Sequence, residues 1–311
     1  MTIQEEIADL KRQRNAVILA HNYVPGDVQD IADFCGDSLE LAQTAAKCSA
    51  EVIVFCGVRF MAETAKILNP NSTVLLPDHT AGCPMADMVT PEDIRFYRKV
   101  HPDGVVVAYV NTTAAVKAEV DICCTSGNAD IIMESVGDHK NVLFVPDRNL
   151  CEEYQHGYDA PVVKAWNGFC PVHDKILNHH VRYAMQQHPD ATVILHPECQ
   201  WNTKYNYGKN TVVASTSGML KYVKHSKAQE FIIVTESGIL HRMRKENPDK
   251  TFYGIEPEMV CADMKKVTLL KVRDSLLTMQ PEVDLPADLM NKARVPIERM
   301  LDIMKDEHNW Q

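Results

Sequence analysis

The sequence has no long hydrophobic run and no signal-like segment. Its longest apolar runs, such as VILA and GVVVAYV, are far shorter than the roughly 20 residues that a membrane-spanning helix needs. The N-terminal segment MTIQEEIADLKRQR is a charged amphipathic pattern without the apolar centre of a signal peptide. We therefore expect a protein that does not enter a membrane and that resides in the cytoplasm.

Positive charge is also scarce. The 311 residues include 32 Lys and Arg against 42 Asp and Glu, which gives a formal net charge of −10. The longest basic segment, HRMRKENPDK, is interleaved with acidic residues, so no basic stripe is available to meet a phosphate backbone. We expect no nucleic-acid partner. An anionic small molecule would need local donors such as helix N-termini or histidines.

The ten cysteines include no CxxC pair, so the usual spacings of zinc ribbons and ferredoxins are absent. In a chain without an export signal, disulfides are not expected either. A single cysteine is most often a small buried hydrophobic residue. The cysteines therefore need to be sorted by their positions in the chain.

The sequence contains three copies of one unit. The segments AVILAHNY, VVVAYVN and TVILHPE end at Tyr23, Asn111 and Glu198, at steps of 88 and 87 residues. Three further sets of segments, among them EVIVF, NVLFV and FIIVT, follow in the same order at nearly the same spacing. Four sets that hold one period indicate a triplicated chain.

Short apolar runs alternate with helix-like segments such as SLELAQTAAKC and GMLKYVKHS. This alternation is typical of βαβ units around a parallel sheet that is buried on both faces. We predict an α/β protein with three homologous three-layer α/β/α sandwich domains around a pseudo-threefold axis and the active site at their junction. The predicted domains span residues 1–88, 89–176 and 177–263, and a helical tail spans residues 264–311.

Polar residues follow the strands where open parallel sheets bind ligands. The loops after the first strands read HNY, YVN and HPE, and a second set of turns reads GDS, TSG and STSG. We expect these turns to cap the following helices and to bind carboxylate or phosphate, although any one of them alone would be a plain helix cap. The candidates in the two sets are His21, Tyr23, Tyr109, Asn111, His196, Glu198, Ser38, Ser126, Ser215 and Thr216.

One set of cysteines follows the period completely, namely Cys83, Cys170 and Cys261, each after the fourth strand of its repeat. Three thiolates around one axis suit a metal centre with an open position. That centre is either zinc with a water or a [4Fe–4S] cluster, and loops about 90 residues apart favour the bulkier cluster. We predict that the singletons Cys48, Cys56, Cys151 and Cys199 are not ligands.

Six longer motifs carry a resemblance to a known family: AHNYxxxxVQDIADFxGDSLELA, HTAGCPMADM, YVNTTAAVKAEVDICCTSGNA, NGFCPVH, HPEC and EMVCADMKK. They are similar to motifs of the quinolinate synthase family and cover nearly the whole chain. Two departures are visible. Ala262 stands where many relatives have proline, and a cysteine triplet that some members carry near the last ligand is absent.

The resemblance implies a transferase of NAD biosynthesis that condenses iminosuccinate (iminoaspartate) with dihydroxyacetone phosphate to give quinolinate, phosphate and water. It implies a [4Fe–4S] cluster with one open iron as Lewis acid, whose ligands fall on Cys83, Cys170 and Cys261. It also implies an aspartate-oxidising enzyme that supplies iminosuccinate. A diphthamide-synthase-like enzyme and a non-catalytic iron–sulfur sensor are the alternatives. The intact strand-end loops disfavour the first, and the acidic charge disfavours the second.

The reaction requires proton transfers by imidazole, phenol or carboxyl groups. We predict that Glu198, the one carboxyl group among the three equivalent loop positions, has its pKa raised toward neutrality by burial near anionic substrates. The predicted catalytic residues are Tyr23, Tyr109, His173, His196 and Glu198. The predicted substrate-binding residues are His21, Ser38, Tyr109, Asn111, Ser126, His196, Glu198, Ser215 and Thr216.

Overall fold

The computed structural model describes residues 2–137, 141–155, 163–200, 208 and 210–307. Within these residues the chain forms three four-stranded sheets, and every strand pair in them is parallel. Each sheet has the same order: the second strand of the repeat, then the first, the third and the fourth. The predicted α/β class with three homologous domains is confirmed.

The first sheet is built from short apolar strands that lie between layers of helices. All five side chains of its third strand, VIVFC, are buried, as expected for a strand covered on both faces. The first repeat contains the helices α1 (Ile3–Gln13), α2 (Gly26–Ile31), α3 (Ser38–Lys47) and α4 (Arg59–Leu68) and the strands β1 (Ala16–His21), β2 (Phe34–Gly36), β3 (Val52–Cys56) and β4 (Thr73–Leu75).

The second repeat follows the same plan. Its first and third strands pair in register from Val105 with Val142 to Ala108 with Val145. It contains the helices α5 (Pro91–Val100), α6 (Ala114–Lys117), α7 (Ala129–Val136), α8 (Arg148–Gln155) and α9 (Pro171–Asp174) and the strands β5 (Val105–Tyr109), β6 (Ile122–Cys124), β7 (Val142–Val145) and β8 (Val163–Ala165).

The third repeat begins with a helix that leads into its central strand. It contains the helices α10 (Asn178–Gln187), α11 (Thr216–His225) and α12 (Ile239–Glu246) and the strands β9 (Thr192–Leu195), β10 (Thr211–Val213), β11 (Glu230–Val234) and β12 (Thr251–Tyr253). The boundaries predicted after residues 88 and 176 lie just before α5 and α10, and their positions stay a prediction.

Two of the three turns cap the following helix as predicted, one through a hydroxyl and one through a carboxylate. The hydroxyl of Ser215 accepts a hydrogen bond at the start of α11. At α3, however, the carboxylate of Asp37 caps the helix and accepts the N–H groups of two residues, because an ionised acceptor is stronger than a hydroxyl. In the second repeat α7 starts only after Asn128, so Ser126 lies in the preceding turn and caps nothing.

The C-terminal segment consists of a short 3₁₀ turn (Met264–Lys266) and the helices α13 (Leu269–Thr278) and α14 (Ala287–Glu307). Helix α13 packs against α1, and α14 packs against α6 and β6 of the second repeat. The two C-terminal helices therefore pack against the first and second repeats. Among the described helices, none has the length and apolar content that crossing a bilayer requires.

The packing of α14 predicts a stability effect. Ile297 is fully buried, whereas Val295 on the same helix is 45% exposed. We expect Ile297→Ala to lower the free energy of unfolding by about 2–5 kcal/mol, because it leaves a cavity at the α14 contact. Val295→Ala, the matched control, should change it by less than about 0.5 kcal/mol. Urea denaturation of the metal-free protein measures both, and equal effects would contradict the described docking of α14.

Candidate active site

A cavity of about 270 Å³ lies at the carboxyl ends of the strands, where loops of all three repeats meet. His21 is the last residue of β1, Tyr109 is the last residue of β5, and His196 follows β9 directly. All predicted site residues except Ser215 line this cavity. They are His21, Tyr23, Ser38, Cys83, Tyr109, Asn111, Ser126, Cys170, His173, His196, Glu198, Thr216 and Cys261.

The loops after β1 and β9 each contain the same kind of local hydrogen bond. The backbone N–H of Tyr23 donates to Nδ1 of His21 at 3.2 Å, and that of Glu198 donates to Nδ1 of His196 at 3.3 Å. Because Nδ1 accepts in both cases, a neutral ring carries its hydrogen on Nε2. Burial lowers the pKa of His21 to about 4 and that of His196 to about 3. Both imidazoles are therefore neutral N–H donors at neutral pH.

Glu198 accepts hydrogen bonds from two other loops. Tyr109 Oη donates to Glu198 Oε1 at 2.5 Å, and Nδ1 of His173 lies 2.9 Å from Oε2. The Glu198 side chain is only 5% exposed, so these contacts replace water around the carboxylate. The sequence prediction had not identified this contact between the second and third repeats.

The pKa of Glu198 contradicts the sequence prediction of a raised value. Burial alone would raise it, but attraction to His196 and His173 and hydrogen bonds from His173 and Tyr109 lower it below its ordinary value. Burial and the neighbouring carboxylate raise the pKa of Tyr109 well above its ordinary value. At neutral pH the pair is therefore an ionised carboxylate beside a protonated phenol.

Thr235 is a site residue that the sequence analysis missed. Its Oγ1 lies 2.6 Å from Tyr23 Oη and 2.8 Å from Nε2 of His173, so it links the first repeat to α9. The strand register makes Gly57 and Pro146 its equivalents, because each follows the last paired residue of a third strand. Neither has a polar side chain, so the repeat contained no signal for Thr235.

Two other predicted binding residues differ in their surroundings. The Oδ1 atom of Asn111 is buried at the cavity and has no hydrogen-bond partner among the described residues. An unpaired buried acceptor costs about 1–3 kcal/mol, so this atom is suited to a donor group of a ligand. Ser215, in contrast, does not line the cavity, and its hydroxyl accepts the N–H of Gly218 at 3.2 Å.

The three predicted cysteine ligands have the same local environment. All three are free thiols that line the cavity. Burial raises the pKa of each, to about 12 for Cys83, so a bound metal would have to displace the thiol protons. The backbone N–H groups two and three residues later partly offset this rise in pKa; they are those of Met85 and Ala86, of Val172 and His173, and of Asp263 and Met264.

Comparison with known proteins identifies the family. A family model described as "Quinolinate synthetase A protein" matches residues 5–302. The chain belongs to the quinolinate synthase family. It is 52% identical over 299 residues to the quinolinate synthase of Methanoregula boonei, which covers 96% of this chain and 97% of that protein. It is 46% identical over 302 residues to that of Thermus thermophilus, with 97% of each chain covered.

Membership of the quinolinate synthase family favours an enzyme that acts on small molecules over the diphthamide-synthase-like enzyme and the sensor. The relative from Desulforudis audaxviator has the same name and is 52% identical over 296 residues, which are 95% of this chain and 96% of that protein. The comparisons thus agree with the resemblance that the sequence motifs carry.

The donor groups of the cavity fit a large metal centre. Among the described residues, one group of three potential ligands has its ligand atoms within 4.8 Å of one another, namely Cys170, His173 and Glu198. The three cysteine sulfurs do not form such a group, so they do not all lie within that distance of one another. Thiolates around a single zinc ion lie about 3.8 Å apart, so the wider set suits a cluster better. The hydrogen bond between His173 and Glu198 is enough to explain why these three ligand atoms lie close together without a metal ion.

The environment of the two equivalent imidazoles predicts their protonation. In metal-free protein, ¹⁵N spectra should show His21 and His196 as neutral rings with hydrogen on Nε2 at pH 7, and still neutral at pH 5.5. Because folding lowers their pKa from 6.5, the unfolded chain binds these protons first, and stability falls as the pH drops below about 6.5. The exposed imidazole of His225 is the internal reference for the ¹⁵N signals of the two buried rings. A charged ring at pH 6 would contradict the assignment.

Proposed function

We propose that this chain condenses iminosuccinate with dihydroxyacetone phosphate to give one quinolinate, one phosphate and two water molecules, a transferase reaction in NAD biosynthesis. An aspartate-oxidising enzyme would supply the iminosuccinate. The observation that carries the proposal is the shared cavity, which brings proton-transfer groups, N–H donors and three thiols of different repeats together. Its acceptors and donors suit two small anionic substrates better than one large ligand.

We infer that Cys83, Cys170 and Cys261 hold a [4Fe–4S] cluster. The two backbone N–H groups that lower the pKa of each thiol support this inference, because they stabilise the thiolate that a metal requires. The spacing of the three sulfurs supports a cluster over a single ion. When bound, the cluster would supply a Lewis-acidic iron to the cavity.

Neutral donors would bind the anionic groups of both substrates. The Nε2–H groups of His21 and His196 would donate to carboxylate or phosphate oxygens. The hydroxyls of Ser126 and Thr216 line the same cavity, where each contacts a phenol that a substrate oxygen would replace. Ser38 lies at the first position of α3 beside the capping carboxylate of Asp37, so its hydroxyl would be the donor there. Donors of this kind allow a chain of net charge −10 to bind anions without a basic patch.

Glu198 and Tyr109 would carry the central proton transfers. The ionised carboxylate of Glu198 is a weaker base than the sequence predicted, because its pKa is lowered, but it is unprotonated and would take a proton from a substrate carbon. The phenol of Tyr109, 2.5 Å from it, would return a proton to an oxygen or nitrogen. Tyr23 is the next phenol at the cavity, and its Oη is hydrogen-bonded to Thr216 at 3.0 Å. The loss of water from the condensing substrates requires such paired removal and delivery of protons.

The cluster assignment is tested by counting iron. Cys83→Ser, Cys170→Ser and Cys261→Ser should lose the visible cluster absorbance and most bound iron after anaerobic reconstitution, whereas the starting protein should bind about four iron atoms. Cys48→Ser is the control, because its half-buried thiol lies outside the cavity, and it should keep its iron. Full iron loading in Cys170→Ser would rule out the proposed ligand set.

The proton-transfer assignment is tested in cluster-loaded variants. Glu198→Gln should keep its iron but lose at least about a hundred-fold in turnover, since an amide cannot act as the base. Tyr23→Phe should also be impaired. Anaerobic quinolinate production measures both, with iron content as the control. Near-normal turnover in Glu198→Gln would show that Glu198 is not the base, and the role would then be assigned to another group, such as His196.

A further inference from the structure

Two buried carboxyl groups contact the backbone of cysteine loops and have no role in the proposed chemistry. Oδ2 of Asp147 accepts the backbone N–H of Cys170 at 3.2 Å, and Oε1 of Glu236 accepts that of Cys261 at 3.1 Å. Both acidic residues are fully buried. The two contacts are chemically the same, and each is made to the peptide unit of a predicted metal ligand.

The strand register shows that the two acids occupy equivalent positions. Val145 pairs with Ala108, and Val234 pairs with Leu195, and each acid lies two residues after the last paired residue of its third strand. The repeat thus carries a carboxyl group at the same place in two domains that otherwise differ. Because the two acidic residues match in both position and contact, we infer that they have the same role in their two repeats.

In the first repeat, a carboxyl group from another repeat holds the cysteine loop. Its equivalent position is Val58, which has no acceptor. Its cysteine loop is bound instead by Asp263 of the third repeat, whose Oδ1 accepts the N–H of Gly82 at 3.1 Å, directly before Cys83. A side-chain carboxyl group therefore holds a backbone N–H in each of the three cysteine loops.

The remaining oxygens of the two acids are also bonded. Oδ1 of Asp147 accepts the N–H of Leu150 at 2.9 Å, and Oε2 of Glu236 accepts that of Gly238 at 2.7 Å. Lys265 Nζ lies 2.7 Å from Oε1 of Glu236. Burying a carboxyl group is costly unless it is fully hydrogen-bonded, so these bonds tie each cysteine loop to a rigid strand end.

We propose that Asp147 and Glu236 are equivalent positioning residues that fix the cysteine loops for metal binding. By holding the N–H of Cys170 or Cys261, each sets the direction of the cysteine side chain toward the cavity before a metal is present. The proposal rests on the proposed cluster. Outer partners of this kind typically change metal affinity by 10–100-fold when they are removed.

The test compares iron release among variants that bind a full cluster. Asp147→Asn and Glu236→Gln keep the side-chain size, but an amide has one acceptor oxygen where the carboxyl group has two, so neither variant can keep both of its backbone N–H bonds. After anaerobic reconstitution, an iron chelator should remove iron at least about ten-fold faster from each variant than from the starting protein. The electron paramagnetic resonance spectrum of the reduced cluster should also change.

Glu63→Gln is the matched control. Glu63 is buried and its Oε2 accepts the backbone N–H of Ala114 at 2.9 Å, but Glu63 contacts no cysteine loop and does not line the cavity. Its iron release and its spectrum should not change, even if its thermal stability falls. Circular dichroism of the metal-free proteins separates loss of folding from loss of metal.

Three outcomes distinguish the possibilities. Iron release as slow in Asp147→Asn and Glu236→Gln as in Glu63→Gln would overturn the positioning role. If neither variant folds, Asp263→Asn decides the question by the same measurement, because Asp263 is less buried and holds the N–H of Gly82 in the first cysteine loop. If the starting protein binds no cluster under any reconstitution condition, the proposed function itself fails, and that result does not depend on the variants.

Discussion

The ionised carboxylate of Glu198 lies buried where the three repeats meet, and a buried charge is stable only when hydrogen bonds replace its water. Those bonds come from Tyr109 of the second repeat and from His173 of α9. His173 is in turn bonded through Thr235 to Tyr23 of the first repeat. The requirement to satisfy one carboxylate thus connects all three domains, and the substrate cavity forms around these contacts.

Triplication supplied one backbone plan, and the side chains have since diverged. His21 and His196 keep the same bond from the residue two positions later, so both present a neutral ring. The residues that follow, Tyr23, Asn111 and Glu198, are a phenol, an amide and a carboxyl group at equivalent positions. An asymmetric pair of substrates needs different groups facing one centre, which identical repeats would not provide.

The cysteine loops changed least. At each of Cys83, Cys170 and Cys261, the backbone N–H groups two and three residues later lower the pKa of the thiol. Proline follows the first two, and Ala262 follows the third without loss of this arrangement. The N–H pattern therefore depends on the turn itself, and proline only restricts its backbone further.

The sequence by itself determined the fold class, the threefold repeat and the complete cysteine set. These follow from hydrophobic periodicity and from residue types at a fixed spacing, which are local properties. Nearly all the residues that it predicted for the site line the cavity, because parallel strands end at one edge. Only the tertiary structure decided that the pKa of Glu198 is lowered, that Thr235 joins two repeats and that Asp147 supports Cys170. Each of these depends on distances between groups far apart in the chain, and no periodic pattern records such distances.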